Sequence, residues 1–531
     1  MAIRFGRGGR FIDHVVGTDE DDELFGYAMG ESPLSDIMSD TLEGGRGDDF
    51  LFGGGGADIL RGGRDDDTLE GGTGGDVLDG GEGFDTALFW HSRSAVYINL
   101  VAGEGYTGEA EGDTFVSIEK VVGSEYDDVI VGDHDGNVID GWLGDDRIWG
   151  GDGTDTLYGD LGIDRLYGGA GLDRLYGGSS TDYLRGEAGI DFLDGEGGDD
   201  FLYGGRDQDF LYGSRGADTN SGGEGRDLVD YSGRYSSGAV TVSLETGRGF
   251  GGFAEGDLYD GIESVVGSRW GDTITGDGGA NYLAGEEGVD ILSGGGGDDE
   301  LNGGAGADQL DGGLDRDTLI YTYSGAGVWV DLSTGGGRWG DAEGDKFARI
   351  ENVEGSRFYD VLIGDRGDNV LSGYSRLLGG ALAGDELRGN EGNDRLLGGW
   401  YNDKIWGGVG ADYIDGGGGN DSFIYASVSD STPSAFGAPA TYDEINWTSI
   451  YGEIDLSRID ANTTAAAPGD DRFSFSPFSD VFTGAGQLRI ERHDDRSFNV
   501  LGETTGDGVA DLMIRVSGSI YLEASDIHIL G

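Results

Sequence analysis

Gly150-Gly151-Asp152-Gly153-Thr154-Asp155-Thr156-Leu157-Tyr158 is followed without a gap by Gly159-Asp160-Leu161-Gly162-Ile163-Asp164-Arg165-Leu166-Tyr167 and by Gly168-Gly169-Ala170-Gly171-Leu172-Asp173-Arg174-Leu175-Tyr176: three copies of one nine-residue repeat. Read outward, the register holds through twelve copies from Gly123 to Asp230. Five more run from Gly44 to Leu88, six from Gly267 to Ile320 and seven from Gly355 to Ile424, the last block broken by the seven residues Gly373 to Gly379. A short fixed period marks a solenoid, in which each repeat buries its apolar face only against its neighbours.

Position 6 of the repeat is Asp in 27 of 30 copies and Asn in three (Asn137, Asn281, Asn369), while position 8 is apolar everywhere except at Asn220. One apolar residue per nine suits a three-residue strand that turns a single side chain inward, and the six Gly-rich residues before it suit a tight turn with positive φ. Two repeats then make one coil. The expected fold is all-β, a parallel β-roll (right-handed β-helix) solenoid with a smaller C-terminal β-rich domain. Leu157, Leu175 and Leu193 would stack in one core row, with Leu166, Leu184 and Leu202 in the opposing row.

Coils stacked every ~4.8 Å would set the position-6 carboxylates in columns, an arrangement that repels itself unless a hard cation lies between them. The candidate metal ligands are Asp49, Asp58, Asp67, Asp76 and Asp85 in the first block, and Asp128, Asp146, Asp155, Asp164, Asp173, Asp182, Asp191, Asp200, Asp209, Asp218 and Asp227 in the second. Asp272, Asp290, Asp299, Asp308 and Asp317 follow in the third, and Asp360, Asp385, Asp394, Asp403, Asp412 and Asp421 in the fourth. Calcium fits, because it takes six to eight oxygens and glycine leaves backbone carbonyls free to supply those the Asp does not; magnesium demands a tighter octahedron. Bridging each Asp to the repeat two further along gives about 22 ions.

The charge points the same way. With 103 acidic and 34 basic residues in 531, the net charge is −69, which excludes binding nucleic acid through phosphate neutralisation and calls for cations to offset self-repulsion. No cysteine is present, so disulfides, thiol catalysis and Cys-ligated zinc are excluded. Met1 to Arg10 is followed by no apolar core of a signal peptide, and the uncharged stretch Leu377 to Gly384 is far too short to span a bilayer, so no transmembrane segment is expected.

The interruptions are themselves a repeat. Val96-Tyr97-Ile98-Asn99-Leu100 recurs as Val240 to Leu244 and Val328 to Leu332, Ala110-Glu111-Gly112-Asp113 recurs at Ala254 and Ala342, and Ile118-Glu119 at Ile262 and Ile350. Two readings stay open: a widened coil that continues the roll, or a ligand-binding spur with the Glu-Gly-Asp trio as a further calcium site. The organisation expected is an N-terminal cap of degenerate repeats at 1–43 with Asp22 and Asp40 at position 6, repeat blocks at 44–88, 123–230, 267–320 and 355–424, and cassettes at 89–122, 231–266 and 321–354. From Tyr425 glycine thins and the period ends, marking 425–531 as a separate domain or a cap. At position 9, Trp149 and Tyr167 share one face and Tyr158 and Tyr176 the other, a ladder that serves either as cross-strand packing or as a polysaccharide surface.

The repeat resembles the Gly-Gly-x-Gly-x-Asp-x-U-x pattern of RTX (hemolysin-type) calcium-binding proteins. Asp455 to Ala461, Phe482 to Leu488, Gly506 to Ile514 and Ala524 to Ile527 resemble, in order, the C-terminal domain of serralysin-type secreted metalloproteases. That resemblance implies a type I secretion signal and its exporter as a partner, and an extracellular location; Asp526-Ile527-His528-Ile529-Leu530 is similar to the family's ending, with His528 a departure. The protease half is missing: none of His14, His91, His134, His493 and His528 forms His-Glu-x-x-His, and Gly-x-Ser-x-Gly does not occur. The expectation is a secreted, non-catalytic calcium-binding protein with a structural, adhesive or matrix role at the cell surface. The alternatives are a calcium-dependent polysaccharide-modifying enzyme and a detached secretion module of a larger toxin or protease.

Overall fold

The computed structural model describes residues 3–5, 14–27, 38–233, 237–373, 383–432, 442–446, 451–456, 458–459, 474–475, 485, 487–492, 497–505, 507, 509–518 and 528–530. The chain divides into an N-terminal half, Met1–Val266, and a C-terminal half, Gly267–Gly531.

In the N-terminal half successive strands alternate between two parallel sheets. Thr41–Arg46 pairs with Ile59–Arg64 and that with Val77–Glu82; Phe50–Gly55 pairs with Thr68–Thr73 and that with Thr86–Leu88. The register is eighteen residues, two repeats per coil, and it sets Leu157 against Leu175 and Leu193, and Leu166 against Leu184 and Leu202, all buried. Many strands are twice the expected length. Arg147–Gly153 and Arg165–Gly171 pair through Trp149↔Tyr167 and on through Gly151↔Gly169, because the first residues of each turn stay extended enough to bond to their copies in the next coil.

The turn requires glycine for two different reasons. Gly171 has φ 148°, and a Cβ there would lie 1.5 Å from the Gly153 carbonyl oxygen, so both conformation and stacking exclude a side chain. Where the sequence puts another residue at that place the backbone stays left-handed: Asp65 (φ 74°), Ser180 (φ 99°), Asp207 (φ 72°) and Asp315 (φ 75°).

Each cassette rejoins the roll. In the first, Thr114–Val116 continues the sheet beyond Val77–Glu82, and Lys120–Val122 lies between Thr86–Leu88 and Val138–Asp140. Ahead of Thr114 in the chain, Tyr97–Asn99 and Glu104–Thr107 form an antiparallel hairpin, whose first strand pairs in parallel with Val129–Val131. A widened coil is therefore what forms. The longer strand expected at Val240 to Leu244 is shorter, Thr241–Ser243, and pairs antiparallel with Arg248–Phe250.

The C-terminal half repeats the pattern: Ile291–Gly295 with Gln309–Gly313, Glu386–Glu391 with Lys404–Val409, and Arg395–Gly399 with Tyr413–Gly417. Past Tyr425 the ladders continue through Asp443–Asn446 on Tyr413–Gly417 and Tyr451–Asp455 on Asn420–Ile424. Leu512–Ser517 extends Asp443–Asn446 and begins an antiparallel meander with Ser497–Glu503 and Gln487–Arg492. Of the C-terminal motifs, Ser457, Asp460, Ala461, Phe482 to Gly484, Gly486, Gly506, Gly508 and Ala524 to Ile527 lie outside the described residues, as do 1–2, 6–13 and 28–37 of the cap and 374–379 of the insertion.

Candidate calcium-binding columns

The strand that follows each position-6 Asp aims its position-8 side chain into the core, which places the Asp at the edge where the turn closes. All 27 candidate Asp residues are at most 3% exposed. They form columns: the Asp155 N–H donates to Asp173 Oδ1 at 2.9 Å, and the Asp173 N–H to Asp191 Oδ1 at 2.9 Å. The opposing column runs the same way from Asp146 to Asp164 and Asp182 at 2.7 and 2.8 Å. In the C-terminal half Asp290 N–H meets Asp308 Oδ1 at 2.9 Å and Asp385 N–H meets Asp403 Oδ1 at 2.7 Å. One oxygen of each carboxylate is thus spent on the neighbouring coil.

The other oxygen is left over. Oδ2 of Asp146, Asp155, Asp164, Asp173, Asp182, Asp191, Asp200 and Asp209, and of Asp290, Asp299, Asp308, Asp394 and Asp403, is buried with no hydrogen-bond partner. A buried oxyanion without a donor is costly, so each such site calls for a proton or a cation. The carboxyls rise accordingly, Asp155 and Asp191 to about 7, Asp146 and Asp385 to about 9, chiefly because burial removes water and further because like charges face each other along the column; the backbone N–H opposes the rise.

Each of these oxygens closes on the glycine at position 1 of its own repeat. A Cβ added to Gly150 would sit 2.3 Å from Asp155 Oδ2 and 2.7 Å from the Gly168 carbonyl oxygen; at Gly389 the distances are 2.2 Å to Asp394 Oδ2 and 2.3 Å to the Gly407 oxygen. The missing side chain at position 1 lets a carboxylate and a carbonyl close into a cradle of oxygens, the donor type calcium takes. Among the described residues no three His, Cys, Asp or Glu side chains come together as a metal cluster, so backbone carbonyls must supply most of the remaining oxygens.

The columns are longer than position 6 of the repeats. Asp22 accepts from the Thr18 N–H and hydroxyl, and its own N–H reaches Asp49 Oδ1 at 2.7 Å. In the cassettes, Asp76, Asp218 and Asp308 donate to Oδ1 of Asp113, Asp257 and Asp345, and Asp85, Asp227 and Asp317 donate to Oε2 of Glu119, Glu263 and Glu351, at 2.7–2.9 Å. Asp412 N–H likewise meets Asp443 Oδ1 at 3.1 Å. The recurrence of Asp113 and Glu119 at fixed offsets carried this signal for the cassettes; nothing local marks Asp443. The Glu-Gly-Asp trio does not act together, since Asp113 is buried in the column and Glu111 is exposed.

The first two repeats after each cassette differ from the interior. Position 2 of the first is Ser, and Ser124, Ser268 and Ser356 donate their N–H to Oδ2 and their hydroxyl to Oδ1 of Asp128, Asp272 and Asp360. The second repeat carries Asn137, Asn281 or Asn369, whose Oδ1 accepts the N–H of Asp133, Asp277 or Asp365 at 2.7–2.8 Å. A neutral amide needs no cation, and its oxygen is satisfied within its own turn.

Parallel coils, glycine cradles beside the repeat carboxylates and an unspent oxygen on those carboxylates define a calcium-binding β-roll. The profile described as RTX calcium-binding nonapeptide repeat (4 copies) matches residues 7–28, 36–69, 52–87, 122–157, 158–193, 194–229, 259–292, 284–319, 348–375 and 385–423, more than half of the chain. The chain belongs to the RTX calcium-binding repeat family, and that membership implies calcium binding by its repeats. No curated protein matches it. Among solved structures it is similar to the extracellular lipase LipA from Serratia marcescens at 16% identity and a TM-score of 0.19, covering 50% of this chain and 39% of the lipase. The chain thus spans well under half of that enzyme's length. No helix among the described residues is long and apolar enough to cross a membrane.

Proposed function

We propose that this is a secreted, non-catalytic calcium-binding protein that folds on meeting extracellular calcium and serves a structural, adhesive or matrix role at the cell surface. The observation that supports it is the buried Oδ2 row: Asp155, Asp173, Asp191 and their counterparts hold charge that only a bound cation or proton can offset. Oδ2 and the position-1 carbonyls would hold calcium, which supplies charge neutralisation and a cross-link between coils. The chain's own part is to keep water out with the position-8 core and to fix each carboxylate through its N–H bond to the coil before. Export follows from the serralysin-like motifs after Tyr425, read by a type I exporter. The test is a glycan and cell-surface binding screen of the full chain with calcium and with chelator, run beside an assay for new reducing ends and unsaturated uronates. Calcium-dependent binding without turnover supports the proposal; turnover of a polysaccharide would replace it with the enzymatic alternative.

A further inference from the structure

Asp113, Asp257 and Asp345 occupy the same place in the three cassettes, and each accepts a backbone N–H on Oδ1 from the coil before it, at 2.7, 2.9 and 2.9 Å. Their second oxygens differ. The Tyr231 hydroxyl donates to Asp257 Oδ2 at 2.5 Å and also meets the Tyr259 hydroxyl; the Tyr321 hydroxyl donates to Asp345 Oδ2 at 2.9 Å. Both rings are buried, and both residues come directly after the last repeat of their block. At the corresponding place after the first block stands Phe89, equally buried and packed edge to face on Phe115 at 6.0 Å. Phenylalanine brings the same ring and no hydroxyl. Asp113 is 1% exposed, and its Oδ2 has no hydrogen-bond partner, the condition shared by the interior repeats and not by Asp257 or Asp345.

Resting on the reading of the repeat carboxylates as calcium ligands, we propose that the hydroxyls of Tyr231 and Tyr321 stand in for a cation at Asp257 and Asp345. Asp113, left open by Phe89, is then a calcium-dependent site outside the repeat motif. A phenol donates one hydrogen bond to one oxygen at any calcium concentration, whereas the open Oδ2 of Asp113 has no partner until a proton or the ion arrives. The second and third cassettes therefore form at lower calcium than the first. The three cassettes, alike in sequence, are graded in their calcium requirement by one oxygen atom.

Residue-resolved amide hydrogen exchange on the full chain during a calcium titration tests this, read over 104–116, 248–260 and 336–348. The expected result is protection of the second and third segments at lower calcium than the first. Phe89→Tyr is expected to move 104–116 to lower calcium by about tenfold, the size of one hydrogen bond to a charged group, and Tyr321→Phe to move 336–348 the opposite way. The two exchanges are reciprocal, so a folding failure in one leaves the other to decide. If the repeats gain protection with calcium while all three cassettes respond at one concentration and neither exchange shifts its own segment, the inference is overturned and the reading of the repeats stands. If calcium changes protection nowhere in the repeats, both fall.

Discussion

Asn220 stands where every other repeat turns an apolar side chain inward. It lies in the core row between Leu202 and Tyr259, fully buried, and neither atom of its amide group has a hydrogen-bond partner. An unpaired buried amide costs about 1–3 kcal/mol. Asn220→Leu is therefore expected to raise the thermal midpoint of the calcium-loaded protein, and an unchanged or lower midpoint would mean that the amide is satisfied. The Asp carboxyls give a second test. Burial raises Asp155 to about 7, Asp164 to about 7 and Asp200 to about 8 from 3.8, so the calcium-free fold prefers them protonated. Their contribution to stability is full below about pH 4 and is lost as pH rises through about 7 to 8. In chelator, β-structure measured by circular dichroism should decline across that window. Calcium competes with the same protons, so its apparent affinity should climb over the same range; a pH-independent affinity would contradict the assignment.

At the scale of strands and turns, the inward rows and the columns could be read because a nine-residue period fixes which positions share a side. The lengths of the strands could not be, since Gly151 pairs with Gly169 only once two coils have stacked, and glycine carries no strand signal of its own. The cassettes were legible as repeats but not as structure: Thr114 lies on Val77 across a long excursion that no local pattern encodes. The outward aromatics were also visible in the sequence, and their geometry narrows what they do. Trp149 and Tyr167 stack at 5.2 Å and 5°, Tyr158 and Tyr176 at 5.0 Å and 9°, and Arg185 covers Tyr203 at 5.0 Å. Ring faces that a sugar would need are turned to one another. Position 7 adds a second set that the sequence reading passed over, Tyr183 on Phe201 and Phe192 on Phe210, each at 4.8 Å. Tyr167→Ala is expected to lower stability by about 1 kcal/mol and to leave glycan binding unchanged, as measured by thermal melts and a binding screen side by side.

For the whole molecule, the net charge of −69 and the 112 glycines set the terms. Each repeat buries one core side chain, and the glycines lose more conformational freedom on folding than any other residue. The carboxylate columns add repulsion that the fold concentrates where water is absent. Cations at two charges apiece, about 22 of them, would bring the net charge to about −25 and join coil to coil at each cradle. Folding and calcium binding are then one event. At the turns after each cassette the chain supplies donors of its own, as Ser124 does to both oxygens of Asp128.

The most direct measurement is a calcium titration of the full chain, following circular dichroism and hydrodynamic radius together, with magnesium in parallel. The account predicts an expanded, weakly structured chain in chelator that becomes compact and β-rich in one cooperative transition by millimolar calcium, with magnesium a poor substitute. A calcium-free chain already compact and β-rich at neutral pH and low ionic strength would contradict it, and with it the assignment of Asp155, Asp173 and their column as the ligands.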